Sequence, residues 1–286
     1  MIENSNPGSL YLCATPIGNL EDITLRALRI LREADVVAAE DTRHTRKLLN
    51  HYDIHTPLTS YHEHNRKGKG EKLIAMLKEG KNIALVSDAG TPGVSDPGEE
   101  LVSLAVAEGI TVVPVPGPSA VISALVCSGQ PTGRFAFEGF LPRTKKERRR
   151  VMTRLASEER TIVFYESPHR VIKTLEEILE LAGDRNIAVT RELTKVYEEI
   201  IRGSVSRVTD YFRAIPPKGE FTIVLEGKRD EKAGLCNGIN PDITAMVNNL
   251  VKEGRDKKQA MKEVAGALGI SKREVYERFL REKEIR

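Results

Sequence analysis

Short apolar runs alternate along the first half of the chain with stretches whose apolar residues recur every three or four positions. SLYLCAT, VVAAE, IALVSD and TVVPV read as strands. The intervening periodicity predicts helices over Ile23–Ala34, Thr42–Tyr52, Glu71–Glu79 and Pro97–Glu108. That rhythm implies βαβ units and a largely parallel sheet, an α/β class. After a further helix over Ser119–Cys127 the spacing changes. FAFEGF, a basic helix, TIVFYES, a helix over Val171–Leu181 and IAVTREL are followed closely by EEIIRGSV, a short helix over Val208–Phe212 and GEFTIVLEG. Neighbouring strands without long crossovers imply a mixed sheet with antiparallel pairs. Beyond Gly227, KRDEKAGLCNGINP has linker character, and helices are expected over Asp242–Lys252, Lys257–Leu268 and Ser271–Glu282. Gly269 would end one of these and Ser271 cap the next. That spacing suits a helix-turn-helix, and equally a helical hairpin packed on the body or on another subunit. The organisation expected is an α/β domain over 1–118, a second over 119–227, and a small helical domain over 228–286.

Three loops after these strands are crowded with Gly and Pro and empty of Lys and Arg: ATPIGN, SDAGTPGVSDPG and PVPGPSAVIS. Loops at the carboxyl ends of strands line the ligand crevice of an open α/β sheet, so three of them suggest one shared pocket. A phosphate would call for a basic side chain or a glycine-rich helix start, and neither GxGxxG nor GxxxxGK[ST] occurs. Backbone carbonyls and the carboxylates of Asp88 and Asp96 suit a neutral or cationic ligand instead, for which S-adenosylmethionine, a sulfonium, is a good candidate.

At 286 residues with 40% apolar and 30% charged content the chain reads as an ordinary soluble protein, without a membrane span or secretory signal, and is expected in the cytoplasm. Cys13, Cys127 and Cys236 are odd in number and far apart, so they suggest neither a disulfide framework nor a metal site. The net charge of +3 is unevenly spread. Residues 228–286 carry 14 Lys and Arg against 10 Asp and Glu, whereas the preceding 227 carry 30 against 31. A second basic cluster, Arg143, Lys145, Lys146, Arg148, Arg149 and Arg150, is relieved only by Glu147. Either cluster alone reads as a solvated face; together they point toward a polyanion.

The motifs TPIGNLEDIT, AAEDTRHTRKLL, SDAGTPGVSDPG, PVPGPSA, FYESPHR and GEFTIVLEG follow one another in this order between about Gly8 and Gly227. On these the chain resembles the tetrapyrrole-methylase superfamily of S-adenosylmethionine-dependent enzymes, and within it the bacterial enzymes that methylate small-subunit ribosomal RNA. The resemblance implies two α/β domains with the cofactor in the cleft between them, and a homodimer. It also implies methylation of the ribose 2′-hydroxyl of a decoding-centre cytidine in 16S rRNA, with the free RNA or the small subunit as partner. Carried over by motif, the cofactor cleft would use Pro16, Ile17, Gly90, Thr91, Pro92, Val94, Ser119, Ala120, Phe164, Tyr165 and Thr222. The superfamily often has GDP where this chain has Gly90, Thr91 and Pro92, so no acidic role attaches to Thr91. The same cleft could serve a tetrapyrrole precursor, and a nucleic-acid-binding sensor of a small ligand is the non-enzymatic rival.

A ribose hydroxyl is a weak nucleophile, so it must be aligned with the methyl carbon and have a proton acceptor nearby. Glu40, Asp41 and His44 lie just past a strand end, where such a group reaches the cleft, although Asp41 is also placed to cap the helix from Thr42. Glu192 and Lys195 are the other catalytic candidates, or a surface ion pair. Arg43, Arg46, His169 and Arg170 flank the expected cleft and are candidates to hold RNA, with the Arg143–Arg150 run farther out. Aromatic content of 5% without Trp argues against extensive base stacking and for recognition of shape with the target nucleotide swung out. His51, His55, His62 and His64 lack metal-site spacing and read as solvated or hydrogen-bonding histidines; no metal is expected.

Overall fold

A computed structural model describes residues 7–228, 243–268 and 271–284. Residues 1–227 form one compact unit and 228–286 another. Cys236, the segment 229–242 and Gly269 lie outside the described residues.

The first unit holds two five-stranded sheets. In the first, β1 (Ser9–Cys13), β2 (Val36–Ala39), β3 (Leu58–Ser60), β4 (Ile83–Val86) and β5 (Thr111–Val115) lie in the order β3-β2-β4-β1-β5, every pair parallel. Helices α1 (Leu25–Glu33), α2 (Thr42–His51), α3 (Arg66–Lys78) and α4 (Gly98–Ala107) cross between them. Separate cores on either side of the sheet account for the uninterrupted burial of β4: Ala84 and Val86 join Cys13 and Leu31, while Ile83 and Leu85 join Leu73 and Leu101. β4 and β1 are parallel neighbours, and the helices that follow them, α4 and α1, pack on opposite faces, which is where a doubly wound sheet opens its crevice.

After α5 (Ala120–Cys127) come β6 (Phe135–Phe140), α6 (Lys145–Ser157), β7 (Thr161–Glu166), α7 (Val171–Ala182), β8 (Asn186–Arg191), β9 (Glu199–Ser204), α8 (Val205–Ala214) and β10 (Phe221–Leu225). Their sheet runs β6-β7-β10-β8-β9, with β6 and β7 parallel and the remaining pairs antiparallel. Alternation sorts its residues by face: Ile162, Phe164, Ile187, Val189, Ile223 and Leu225 bury against α6, α7 and α8, whereas Val163, Ala188 and Val224 bury against α5. The α/β class and the mixed second sheet are therefore as expected.

Most helix ends fall within two residues of those expected, and three departures are larger. β3 is added at an edge, α3 begins at Arg66 rather than Glu71, and α8 runs from Val205 to Ala214 rather than over five residues. In α3 the opening RKGKG hides the helix because two glycines interrupt the periodicity, yet Gly70 is needed close to Leu104, 3.2 Å from where its Cβ would stand. In α8 Ser204 caps the helix, its hydroxyl accepting from Arg207 N.

The second unit has α9 (Ile243–Lys252), α10 (Lys257–Leu268) and α11 (Lys272–Glu284). Val247, Met261, Val264, Val275 and Phe279 form its core, and the Lys257 ammonium lies 4.6 Å from the centre of the Phe279 ring. Ser271 accepts from Glu274 N at 3.2 Å, the cap expected there. Among the described residues no helix is long and apolar enough to cross a membrane.

Candidate functional site

The Gly- and Pro-rich loops close on one another beyond β1, β4 and β5. Thr15 and Gly90 exchange backbone hydrogen bonds of 2.9 and 3.0 Å, and the Thr15 hydroxyl donates to Ser87 O at 3.2 Å. Thr91 Oγ1 donates to Pro118 O at 3.1 Å and so ties the second loop to the third. Gly90 has φ +83°, a conformation that glycine adopts without strain, and this lets the first two loops cross. Within the second loop Asp96 accepts from Gly93 N at 2.8 Å and from Gly98 N at 2.7 Å. These bonds hold Ser95 in the left-handed region at φ +64°. The sequence offers Asp96 as an acceptor for a ligand; its oxygens are instead turned into its own loop, because that loop presents unpaired N–H groups to the nearest carboxylate.

A cavity of about 540 Å³ opens beside this crossing, walled by both sheets. Ile17, Glu40, Asp88, Val94, Asp96 and Ala120 face it from one side and Phe140, Tyr165, Thr190, Leu193 and Thr222 from the other. Five acidic residues belong to the lining, Glu40, Asp88, Asp96, Glu166 and Glu220, the carboxylate of Glu166 being fully buried, and among the described residues no Lys, Arg or His does. Burial, with the charges of Asp88 and Asp96 adding to it, pushes the Glu40 carboxyl above its ordinary range. Burial and Asp96 push the Tyr165 phenol up to about 12, so it stays protonated and able to donate.

Asp41 turns away from this cavity. It caps α2 by accepting from Arg43 N at 2.8 Å, and the Arg43 guanidinium, 2.7 Å away, holds its carboxyl well below the usual range. A carboxylate so stabilised is a poor proton acceptor. His44 is exposed on α2 and Glu192 is bound to Lys195 Nζ at 3.0 Å and to Glu220 N at 2.9 Å; none of these three lines the cavity. Burial opposes ionisation of Glu192, but the Glu220 N–H and Lys195 outweigh it and hold the carboxyl low. Of the proposed proton acceptors, Glu40 alone faces the cavity.

The expected cofactor contacts divide in the same way. Ile17, Val94, Ala120, Tyr165 and Thr222 line the cavity, while Pro16, Gly90, Thr91, Pro92 and Ser119 build the loops behind it. Phe164 is corrected: its side chain is fully buried in the opposite core, because it stands one residue out of phase with Tyr165 on β7. Phe140, Thr190 and Leu193 are lining residues that the sequence reading missed. The last two close the strand read as IAVTREL, and position at a strand's end was the available signal.

The basic run also divides. Arg143, Lys145, Lys146, Arg149 and Arg150 are exposed, but Arg148 is only 7% exposed, and its assignment to RNA is corrected. It donates to Glu177 at 2.6 Å and to Thr174 at 2.7 Å, and its Nη1 stands 3.6 Å from the buried Glu166, near enough for attraction but too far for a hydrogen bond. One helical turn inside a basic stretch must face the core, and here a buried carboxylate receives it. Arg170, a quarter exposed, pairs with Glu166 at 2.7 Å and donates to Leu141 O at 3.0 Å, so it braces the segment after β6. Arg43 is exposed but engaged by Asp41; Arg46 and His169 are exposed.

Residues 9–209 match the family of Tetrapyrrole (Corrin/Porphyrin) Methylases. The chain is 48% identical over 277 residues to the ribosomal RNA small subunit methyltransferase I of Halalkalibacterium halodurans, covering 96% of this chain and 95% of that protein. It is 53% identical over 221 residues to the protein of that name from Thermotoga maritima, covering 77% of this chain and 99% of the relative. Among solved structures, a cobalt precorrin-4 methyltransferase of cobalamin biosynthesis aligns with a TM-score of 0.58 at 22% identity, covering 76% of this chain and 94% of that one. A uroporphyrin-III C-methyltransferase from Thermus thermophilus complexed with S-adenosylhomocysteine aligns with a TM-score of 0.54 at 22% identity, covering 77% and 97%. At those identities the structural likeness speaks for the fold.

Proposed function

Because the chain belongs to the tetrapyrrole methylase family, and within it groups with the ribosomal RNA small subunit methyltransferase I proteins, we propose that it methylates 16S rRNA with S-adenosylmethionine. The acceptor is the ribose 2′-hydroxyl of a decoding-centre cytidine. The observation that carries this reading is the acidic lining of the cavity, Glu40 and Asp88 foremost, with no basic side chain among the described residues, which fits a fixed cation and disfavours a phosphate. When bound, S-adenosylmethionine supplies an activated methyl group.

The chain's own work is alignment and proton acceptance. The crossed first and second loops fix Ile17 and Val94 on one side of the cavity, and Tyr165, Leu193 and Thr222 close the other. Glu40 receives the hydroxyl proton: it faces the cavity, and its raised pKa brings it closer to a useful base than a paired carboxylate such as Asp41. Arg143, Lys145, Lys146, Arg149 and Arg150 hold phosphates of the RNA outside the cavity. The working form is a homodimer; Ile122 and Val126, one turn apart and both exposed on α5, give it an apolar face.

The test is incubation with a labelled methyl donor and, in parallel, small ribosomal subunits, naked 16S rRNA or a reduced tetrapyrrole. Label in the 2′-O-methyl position of a single rRNA cytidine is expected. Label in the tetrapyrrole alone would reassign the substrate, and no transfer would favour a ligand sensor.

A further inference from the structure

We propose that Phe140 is the stacking platform for the base of the acceptor nucleotide, with Val94 closing the slot from the opposite wall of the cavity. This rests on the rRNA reading above. Phe140 ends β6 and is 59% exposed, yet it lines the cavity, as does Val94 at 39% exposure. Its orientation is built rather than incidental. The pairing of β6 with β7 runs Phe137 to Val163 and then Phe140 to Tyr165, so β6 carries one residue more than its partner between those points. Without that bulge Phe140 would fall on the face opposite to Phe137; with it, Phe137 and Phe140 both meet the Tyr165 ring, at centroid distances of 5.1 and 5.3 Å. Gly139 makes the bulge at φ +61°, and a Cβ there would stand 2.9 Å from Ser95 Oγ, beside Val94. The chain thus spends a bulge and a positive-φ glycine on presenting one phenyl ring at the cavity mouth.

Three features favour the acceptor base over the adenine of the cofactor as occupant. Phe140 and Val94 are the exposed large apolar side chains of the lining, whereas Ile17, Ala120, Tyr165, Leu193 and Thr222 are partly or wholly buried. A nucleotide still attached to a large RNA enters from the mouth; a small cofactor reaches the interior. The chain that leaves Phe140 runs directly into Arg143, Lys145 and Lys146, all exposed, so a ring and phosphate-binding cations stand within six residues of one another. Finally, Arg170 and Glu166 anchor Leu141, the next residue, which keeps the ring where the cavity needs it. One such platform is compatible with the low aromatic content, which excludes only extensive stacking.

Phe140→Ala should lower kcat/KM for methyl transfer to small subunits by about 5- to 150-fold, the range for loss of one base–aromatic stack. Cofactor affinity by calorimetry should stay within experimental error, and Phe140→Trp should restore transfer. An RNA oligonucleotide carrying 2-aminopurine at the target position should be quenched by the wild-type protein and not by Phe140→Ala. Wild-type transfer to small subunits or naked 16S rRNA tests the rRNA reading by itself, and its absence on both substrates overturns that reading and the platform together. If the wild type transfers and Phe140→Ala transfers equally well, the platform is overturned and the rRNA reading stands. A parallel loss of cofactor affinity would place the adenine on Phe140 and also overturn the proposal.

Discussion

Replacing Arg148 with Met isolates the one arginine of the basic run that faces inward. Met keeps the apolar stem in place beside α7 and removes the guanidinium. The bond to Glu177, one quarter exposed, and the bond to Thr174, fully buried, both disappear. Glu166 keeps Arg170 at 2.7 Å, Thr174 Oγ1 at 2.7 Å and its bond from Ser167 N at 2.8 Å, so it is not stranded. The cost is therefore below the figure for breaking a buried pair outright: about 2–4 kcal/mol, from one charge-assisted bond and one partly compensated one. For a unit of this size that lowers the melting temperature by roughly 4–16 °C. The assay is thermal unfolding by circular dichroism beside RNA binding over a salt series. Arg149→Ala with Arg150→Ala is the control: both are exposed, so melting should be unchanged while the slope of log affinity against log salt flattens by about 0.7–0.9 for each phosphate that is no longer neutralised. An Arg148→Met protein that melts like the wild type but binds RNA with the flattened slope would refute the inward placement.

Gly90→Val should cost about 1–2 kcal/mol of stability from the left-handed backbone, more for the β-branch, and weaken S-adenosylmethionine binding by distorting the Thr15 crossing; unchanged affinity by calorimetry would contradict it. Glu40 has a raised pKa, so methyl transfer should rise with pH through a value above its ordinary 4.5 as the carboxylate forms. The same sign means that ionised Glu40 opposes folding above that value: Glu40→Gln should raise the melting temperature at neutral pH while abolishing transfer, and a Gln variant with a wild-type pH–rate profile would remove Glu40 as base. Deleting residues 235–286 should weaken RNA binding and spare cofactor affinity, because 1–227 forms its own compact unit; equal loss of both would refute that division.

The first sheet was legible because buried parallel strands are continuous apolar runs, and the three loops announced themselves by composition. β3 was not, since LTS at a sheet edge buries too little to leave a pattern. The cavity's first wall could be named from the loop motifs. Its second wall could not, because which face of β7 meets the cavity depends on register, and Phe164 and Tyr165 are equally apolar neighbours in the sequence. Phe140 was hidden by the extra residue in FAFEGF, which reverses the alternation that a regular strand would have. Arg148 was hidden by its neighbours: a run of like residues gives no sign of which one has a buried carboxylate waiting for it.

Five carboxylates around one cavity would repel one another were they not treated differently. Glu166 is met by two guanidiniums, Glu220 by Lys195, Asp96 by the N–H groups of its own loop, and Asp88 by Asp41 N at 2.9 Å. Glu40 is the exception: burial and the charges of Asp88, Asp96 and Asp41 outweigh the hydrogen bond it receives from Asp88 N, which is why its pKa rises. The unfavourable field at Glu40 is therefore relieved by any fixed positive charge placed in the cavity, and by no neutral molecule of the same shape. S-adenosylmethionine and its demethylated product differ in that charge. Affinity for the sulfonium should increase from acid to neutral pH as Glu40 ionises, affinity for S-adenosylhomocysteine should not, and Glu40→Gln should flatten the first curve onto the second. Titration calorimetry of both ligands over that pH range decides it, and parallel curves for the two ligands on the wild-type protein would show that the charge of Glu40 does not act on the sulfonium.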